Sequence, residues 1–324
     1  MPKNKNKQFV GFDIGGTKCA VCIASFDGTS LKILDKRQIP TDHSVSGYEM
    51  IDRMYLLAKQ MGLTNEIIGI NCGGPLDSKR GIIQSPPNLP NWNNIEIVKY
   101  LRSHYGISSY LENDANACAI AEWLFGAGKG SKDMIFLTFG TGMGAGLILD
   151  NKLYRGASSD AGEIGHIRLD EHGPVGYGKS GSFEGFCSGG GIAQLGNLLI
   201  KERKQLGMPN PFIKEEVTAK DLSILAKQGN KDALSIFRIC GKQLGKGLAI
   251  LIDILNPERI VIGSIYGRST ELLDKNMYEM LKKECLKRSL RNCKIVKSSL
   301  GDQIGDYASI CVAFYNQKGF KHAI

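Results

Sequence analysis

Apolar residues along this chain follow two spacings, and each predicts a different kind of element. An apolar strand, a glycine-rich turn and a second apolar strand are predicted near the N-terminus, in FVGFDIGGTKCAVCIASFDG. The same pattern recurs at 134–153, in MIFLTFGTGMGAGLILDNKL. Asp27-Gly28 and Asp150-Asn151 end the two segments with turn-forming residues. The repetition favours a duplicated architecture of two similar lobes.

In other segments apolar residues recur every three or four positions, which is the spacing of a helix. The predicted helices lie at 48–61, 94–104, 115–125, 191–206, 231–255 and 269–290, with another opened by Thr218 and Asp221 and a last one in DYASICVAFYNQ. The remaining predicted strands are EIIGINCGG, SSYLEN and RIVIGS. Strands that alternate with helices indicate an α/β fold.

The chain has 324 residues. That length exceeds the size at which one hydrophobic core usually stops growing, so we expect two domains or two lobes around a cleft. Its 42% hydrophobic and 23% charged residues are ordinary for a soluble protein. No apolar run is long enough to span a membrane, and MPKNKNK lacks the apolar segment of a secretory signal. We therefore expect a cytoplasmic protein with no membrane partner.

The formal net charge of +9 suits an anionic ligand such as a nucleotide, although a solvated basic surface, above all at 275–297, is the alternative. Nucleic acid is not an expected partner. The nine cysteines are scattered, mostly among apolar neighbours, so most are expected to be small core residues. Cys19 and Cys22 should face opposite sides of one strand, which argues against shared metal or disulfide chemistry.

The two glycine-rich turns point to phosphate binding, because backbone N–H groups approach an anion closely where no Cβ stands in the way. A Walker loop or a dinucleotide fingerprint opens into a helix, whereas both turns here run on into strands. GTGMGAG does match G-x-G-x-x-A at Gly140, Gly142 and Ala145, with Asp160 about twenty residues later. Its strand-like continuation GLILDNKL argues against a dehydrogenase.

Two hairpins of this kind, with Asp13 beside the first, suggest a nucleoside triphosphate held between two lobes. Mg²⁺ usually keeps several waters and takes only one or two carboxylates. Asp13 is therefore expected to orient a magnesium ion through its water shell. For one hairpin alone, glycines that merely permit a tight turn are the alternative explanation.

Five motifs resemble, in sequence and in order, those of the ROK family of the actin-like ATPase superfamily, which contains bacterial sugar kinases and sugar-responsive repressors. They are DIGGT, the GGP to SPPNLPNW segment, ENDANA at 112–117, GTGMGAG, and GEIGH at 162–166. The resemblance implies an α/β, two-lobed actin-like ATPase (ribonuclease H-like) fold, with mixed sheets flanked by helices and a cleft between the lobes. The implied N-terminal lobe is 1–113 plus 306–324, to which the C-terminal helix returns, and the C-terminal lobe is 114–305.

The same resemblance implies roles for individual residues. Asp114 matches the general base that takes the proton of the sugar hydroxyl. The implied sugar-binding residues are Asn113, Glu163, His166, Glu184, Gly74 and Asn88. The implied nucleotide-binding residues are Asp13, Gly15, Gly16, Thr17, Lys18, Gly140, Thr141, Gly142 and Gly263. Gly263 resembles the start of the adenosine-side loop, where the family often has a second glycine and this chain has Ser264. A homodimer is typical of the family.

Many ROK proteins bind a structural zinc through C-x-C-G-x-x-G-C, which follows the Glu-x-x-His histidine. This chain has VGYGKSGSFEG there, with Val175, Tyr177 and Ser182 at the cysteine positions. Because only His166 remains of the ligands, we expect no structural zinc and a histidine that acts on the sugar alone. Apolar packing of Tyr177 and Phe183 is expected to hold the loop instead.

ROK repressors carry a DNA-binding helix-turn-helix ahead of the kinase-like body, and the twelve residues before Asp13 are expected to be too few for it. We therefore expect an enzyme that uses ATP and Mg²⁺ to phosphorylate the 6-hydroxyl of an aldohexose, glucose first. An N-acetylmannosamine or N-acetylglucosamine kinase is the alternative among enzymes. A non-catalytic sugar-sensing regulator is the alternative of another class.

Overall fold

The computed structural model describes residues 7–64 and 66–317. The strands are β1 (Lys7–Ile14), β2 (Lys18–Phe26), β3 (Leu31–Pro40), β4 (Ile68–Cys72), β5 (Leu76–Asp77), β6 (Ile82–Ile83), β7 (Ser109–Asn113), β8 (Met134–Phe139), β9 (Met143–Leu149), β10 (Lys152–Tyr154), β11 (Val175–Gly176), β12 (Lys179–Ser180), β13 (Arg259–Ile262) and β14 (Lys294–Lys297). The helices are α1 (Gly47–Gln60), α2 (Ile97–Tyr105), α3 (Asp114–Phe125), α4 (Phe183–Phe186), α5 (Gly189–Gln205), α6 (Ala219–Lys227), α7 (Lys231–Leu255), α8 (Ile265–Arg268), α9 (Thr270–Glu284), α10 (Lys287–Asn292) and α11 (Ile304–Asn316).

The chain divides into two compact units. The first comprises Met1–Gly130, Gly146–Ala161 and Ser299–Ile324, and the second comprises Ser131–Ala145 and Gly162–Ser298. Helix α3 packs on α11 and so lies in the first unit, whereas the sequence led us to begin the C-terminal lobe at Asp114. Among the described residues no helix is both long and apolar enough to cross a membrane.

The first unit contains a sheet with the strand order β3-β2-β1-β4-β7. β1, β4 and β7 run parallel, whereas β2 is antiparallel to both β1 and β3. Successive side chains of a strand face opposite sides. Val10, Phe12 and Ile14 therefore join the core beneath α1 and α2, while Gly11 and Asp13 face α11.

Glycines in two neighbouring strands let α11 lie directly on this sheet. A Cβ at Gly11 would stand 2.8 Å from the backbone nitrogen of Ile310, and one at Gly69 would stand 2.5 Å from that of Ala313. No side chain fits in that space. The C-terminal helix thus packs on β1 and β4, as the resemblance implies, and it begins beside Asp13.

A second sheet within the described residues has the strand order β10-β9-β8-β13-β14. In the second unit β13 is parallel to both β8 and β14. Both predicted glycine hairpins are confirmed, because β1 and β8 are each followed by a strand and not by a helix. Cys19 belongs to the core beneath α1, and Cys22 lies opposite Gly11, so the two thiols do face opposite sides of β2.

The prediction of one helix over 269–290 was wrong. The structure ends α9 at Glu284 and starts α10 at Lys287. Asp253 of α7 accepts hydrogen bonds from the N–H of Leu286 at 3.1 Å and from the Cys285 thiol, also at 3.1 Å. These contacts take over the Leu286 N–H at the point where the helix breaks.

Candidate active site

The first glycine-rich turn, Gly15–Thr17, joins β1 to β2 as a tight hairpin. The Gly15 N–H donates to the Lys18 carbonyl at 3.1 Å. Thr41, directly after β3, holds the turn from another side. Its N–H donates to the Thr17 carbonyl at 3.0 Å and its hydroxyl donates to the Gly15 carbonyl at 2.6 Å. Thr17 and Lys18 are exposed, and Thr41 is a supporting residue that the sequence did not single out.

Gly16 and Gly74 are both in close contact with predicted sugar-binding residues. A Cβ at Gly16 would lie 2.6 Å from the Asn88 Cβ and 2.7 Å from the Asn88 carbonyl oxygen, so the SPPNLPNW loop packs on the glycine turn. A Cβ at Gly74 would lie 3.4 Å from Nδ2 of Asn113. The structure therefore brings Asn88 to Gly16 and Asn113 to Gly74, all in the first unit.

Asp13, near the end of β1, is a carboxylate with little charge compensation. Its Oδ1 accepts a hydrogen bond from Nδ2 of Asn71 at 2.9 Å. Burial raises the pKa of Asp13 to about 6, and the nearby carboxylates of Asp306 and Asp114 add to the rise, while the Asn71 hydrogen bond opposes it. The ammonium group of Lys36 also opposes it, but this group pairs with Asp306 at 2.6 Å. Such a group favours a cation nearby.

We expect the raised pKa of Asp13 to make the metal-free protein less stable as the pH rises from about 4 to about 6. In that interval the folded carboxyl keeps a proton that the unfolded carboxyl has released, so the free energy of unfolding falls with rising pH. The pKa difference corresponds to at most about 3 kcal/mol, which is lost in full above the folded pKa.

Asp13→Asn keeps an acceptor for Asn71 and removes the titrating group. Its thermal midpoint, measured with a chelator present, should therefore exceed that of the wild type at neutral pH and approach it near pH 4, roughly the pKa of an unfolded aspartate. The same dependence on pH in both proteins would contradict the prediction.

Asp114 is the first residue of α3, and Asn113 is the N-cap. The Ala115 N–H donates to Oδ1 of Asn113 at 3.0 Å and to Oδ1 of Asp114 at 2.7 Å. The Asp114 side chain is exposed, yet desolvation by surrounding protein atoms raises its pKa against the opposing backbone hydrogen bonds. Both observations fit a carboxylate that water reaches while protein atoms crowd it. A raised pKa makes this group a stronger proton acceptor than an ordinary aspartate.

Glu112, which precedes Asn113, supports this turn from inside the protein. It is 1% exposed, and its carboxylate accepts from Nδ2 of Asn116 at 3.0 Å and from Nε of Arg155 at 2.7 Å. The Asn113 N–H also donates to it, at 3.2 Å. The position of Glu112 directly before Asn113 and Asp114 could have identified it as a supporting residue from the sequence. Nothing in the sequence identifies its partner Arg155, which is 43 residues away.

The second glycine-rich turn, Gly140–Gly142, joins β8 to β9. The Gly140 N–H donates to the Gly142 carbonyl at 3.1 Å, and the Gly189 N–H, at the start of α5, donates to the Gly140 carbonyl at 2.8 Å. Thr141 at its centre is exposed. After Gly263, the Ser264 Oγ lies 3.6 Å from where a Cβ on Gly140 would stand. The structure thus brings Gly140 close to Ser264, the residue after Gly263, and to the start of α5, which the sequence did not single out.

The three residues predicted to bind the sugar in the second unit lie beside that turn. Oε2 of Glu184 accepts from the Met143 N–H, the first of β9, at 3.0 Å. Gly165 lies between Glu163 and His166 in the sequence, and a Cβ on it would stand 3.2 Å from the Glu184 Cβ. Glu163 and His166 are exposed. The structure therefore places the Glu-x-x-His segment against Glu184, and Glu184 against the second turn.

The loop before Glu184 is a hairpin held by hydrogen bonds. β11 and β12 pair across a turn at Tyr177. Gln194 of α5 makes two hydrogen bonds to the backbone of Val175. The Val175 N–H donates to Oε1 of Gln194 at 2.9 Å, and Nε2 of Gln194 donates to the Val175 carbonyl at 2.8 Å. Ser182 is fully buried and caps α4. These bonds hold the chain that leads from His166 to Glu184.

The residues of this loop do not fit a zinc ion, because Val175, Tyr177 and Ser182 supply no thiolate. The expectation that Tyr177 packs in the loop was wrong. Its side chain is 79% exposed at the hairpin tip, and its ring is edge-on to His166 with the centroids 6.5 Å apart. Phe183 does pack, since it is fully buried and its ring lies against Gly247, where a Cβ would not fit.

We expect Gln194→Ala to lower the free energy of unfolding by about 1–2 kcal/mol, because both backbone groups of Val175 lose their partner. Gln205→Ala, in the exposed last turn of α5, is the matched control and should change the free energy of unfolding little.

Prolonged chelation should leave the thermal midpoint of the wild type unchanged, and metal analysis should find no tightly held zinc. One zinc per chain would contradict this account of the loop.

Known proteins resemble this chain over nearly its whole length. Residues 9–310 match the model of the ROK family. Over 312 residues the chain is 30% identical to a glucokinase of Halalkalibacterium halodurans, and the match covers 93% of each chain. The crystal structure of a ROK family glucokinase from Streptomyces griseus in complex with glucose and AMPPNP is 28% identical, with a TM-score of 0.75, over 96% of this chain and 100% of that one.

A regulator is among the relatives as well. The DNA-binding transcriptional repressor Mlc of Escherichia coli is 27% identical over 252 residues, which is 77% of this chain and 61% of the repressor.

The likeness to the Streptomyces griseus structure confirms the predicted α/β fold class with sheets flanked by helices. Since the family match runs through both compact units and the five motifs stand in the family's order, the chain belongs to the ROK family.

Proposed function

We propose that this protein is an ATP-dependent hexokinase that phosphorylates the 6-hydroxyl of an aldohexose, glucose first. The observation that carries the proposal is Asp114, an accessible carboxylate with a raised pKa at the start of α3. The glucokinases among the relatives support a sugar substrate, and the glucose and AMPPNP bound in the Streptomyces griseus structure support a sugar and a nucleotide together.

In the proposed reaction Asp114 accepts the proton of the 6-hydroxyl while the sugar oxygen forms a bond to the γ-phosphorus of ATP. The bond from that phosphorus to the bridging oxygen breaks, and ADP leaves with the electron pair. A carboxylate base is sufficient, because the transition state is loose and most of the rate comes from positioning and charge neutralisation. Asn113 uses Oδ1 to cap α3, so its Nδ2 is the group offered to a neighbouring hydroxyl.

The other sugar contacts are proposed for Glu163, His166 and Glu184. Sugar hydroxyls both donate and accept, so carboxylates and an imidazole suit them. Oε2 of Glu184 already holds the Met143 N–H, which leaves Oε1 for the sugar and makes the sugar contact sensitive to the position of the second glycine turn. The loops that carry Gly74 and Asn88 are proposed to complete the sugar site.

The residues around Asp13 fit a magnesium ion held through water. Mg²⁺ usually keeps several waters and takes only one or two carboxylates, so Asp13 is proposed to orient the ion through its water shell. Burial raises the pKa of Asp13, and the carboxylates of Asp306 and Asp114 add to the rise, so a cation beside Asp13 would favour its ionised form. When bound, magnesium supplies charge neutralisation for the phosphates. The N–H groups of the turns at Gly15–Thr17 and Gly140–Gly142 are proposed to bind phosphate oxygens.

A sugar-sensing regulator is the second candidate, favoured by the relationship to Mlc. ADP release measured across glucose, mannose, fructose, allose and the N-acetylated hexosamines separates the candidates. Turnover that is fastest with glucose supports the proposal, and turnover confined to N-acetylmannosamine or N-acetylglucosamine makes the protein an amino-sugar kinase. Sugar binding without turnover of any sugar would overturn the kinase proposal in favour of the regulator. The homodimer and the cytoplasmic location stay predictions.

A further inference from the structure

Ser264 has a backbone conformation that favours glycine. It follows Gly263 at the end of β13, with φ 56° and ψ −117°. With φ positive and ψ far from the left-handed helical well, an L side chain crowds its own backbone, and such strain concentrates at functional sites. A glycine would adopt this conformation without cost. A serine kept here therefore raises the question of what its side chain does.

The Ser264 hydroxyl points toward the second glycine turn. Its Oγ lies 3.6 Å from where a Cβ on Gly140 would stand. Nη2 of Arg268, one helical turn later, donates to Oγ at 3.3 Å. Because the guanidinium occupies a lone pair of Oγ, the hydroxyl proton remains to be donated to another acceptor. Both side chains are exposed, so a ligand at the turn is within their reach.

Three backbone segments meet at this point. They are the Gly140–Gly142 turn, the start of α5 at Gly189, and the Ser264–Ile265 step. The Gly189 N–H donates to the Gly140 carbonyl at 2.8 Å, and a Cβ on Gly189 would stand 3.4 Å from Cδ1 of Ile265. Glycine-lined backbone beside a hydroxyl and a guanidinium is suited to a phosphate group.

We propose that Ser264 and Arg268 bind a phosphate oxygen of the nucleotide at the Gly140–Gly142 turn, which rests on the proposed function. The hydroxyl donates one hydrogen bond and the guanidinium adds a charge-assisted one. The strain at Ser264 is kept because a glycine would supply neither the hydroxyl nor an anchor for the Arg268 side chain.

Direct binding of ADP and of adenosine, measured by titration calorimetry without any sugar, tests this. Ser264→Ala and Ser264→Gly should each weaken ADP about fivefold, and Arg268→Gln should weaken it about tenfold or more, while adenosine affinity stays within about twofold. Ser264→Gly should also melt several degrees above Ser264→Ala, since only glycine removes the strain. Arg288→Gln, on an exposed position of α10, controls for the loss of one positive charge and should leave ADP binding almost unchanged.

ADP binding by Ser264→Ala and Arg268→Gln at wild-type strength would overturn the inference and leave the proposed function in place. Equal losses for ADP and adenosine would also overturn it, because they would show a disturbed loop and not a phosphate contact. A wild type that binds neither ADP nor adenosine would overturn both the inference and the kinase assignment.

Discussion

Asp114→Asn should lower kcat by about a thousandfold or more while the hexose still binds within a few-fold of wild type. The amide is the same size as the carboxylate and still accepts the Ala115 hydrogen bond at its oxygen. It has no basicity, however, so the 6-hydroxyl keeps its proton as the phosphorus–oxygen bond forms. The loss should fall on kcat, because a base acts only once the hydroxyl begins to ionise.

Steady-state ADP release and calorimetric titration with glucose measure the two quantities separately. Asp35→Asn, which changes a partly exposed carboxylate on β3, is the matched control and should retain full activity. In the wild type, kcat/KM should rise with pH through the pKa of Asp114, which burial holds above its usual value. An Asp114→Asn enzyme with near wild-type kcat would remove this residue from the base role.

Glu122→Ala should destabilise the protein by about 3–5 kcal/mol, the largest loss of stability that we expect from one side chain. Glu122 of α3 is fully buried. Its Oε2 accepts from the Ala127 N–H at 2.6 Å and its Oε1 accepts from the Leu300 N–H at 3.0 Å. The N–H and hydroxyl of Ser299 lie 3.4 Å from Oε2. Alanine leaves these partly buried donors without that carboxylate.

The thermal midpoint should fall by at least about 6 °C. Glu122→Gln, which keeps one acceptor oxygen, should lose less than Glu122→Ala. Glu202→Ala, at an exposed position of α5, is the control and should leave the midpoint almost unchanged. A Glu122→Ala midpoint within a degree or so of the wild type would mean that water satisfies the exposed donors, and that this carboxylate does not hold the segments at Ala127 and Ser299.

The local features of the fold were readable in the sequence. A glycine turn followed by β-branched and apolar residues predicted a hairpin at Gly15–Thr17 and another at Gly140–Gly142, and both are present. The capping pair of Thr218 and Asp221 marked the start of α6, where each side chain bonds the backbone of the other. These features depend on residues that are close in sequence, so they can be predicted without knowing how the rest of the chain folds. The prediction over 269–290 failed because Asp253, on another helix, accepts the Leu286 N–H.

The supporting residues of the site became visible only in the folded chain. Thr41 and Gly15 are 26 residues apart, Asn71 and Asp13 are 58 apart, and Arg155 and Glu112 are 43 apart. Neighbouring residues do not indicate that such a threonine, asparagine or arginine has a role in the site. Strand order and helix packing determine its hydrogen-bond partner. Gln194 likewise carries no local signal, because its hydrogen bond to Val175 links a helix to the hairpin before Glu184.

Residue pattern and motif order alone predicted the α/β class, the two glycine hairpins and the family, and they name the side chains proposed to act on sugar and nucleotide. The tertiary structure decided which groups orient those side chains and how strongly their environment shifts their pKa values. Backbone conformation follows from neighbours along the chain, whereas burial and hydrogen-bond partners follow from which distant segments pack together.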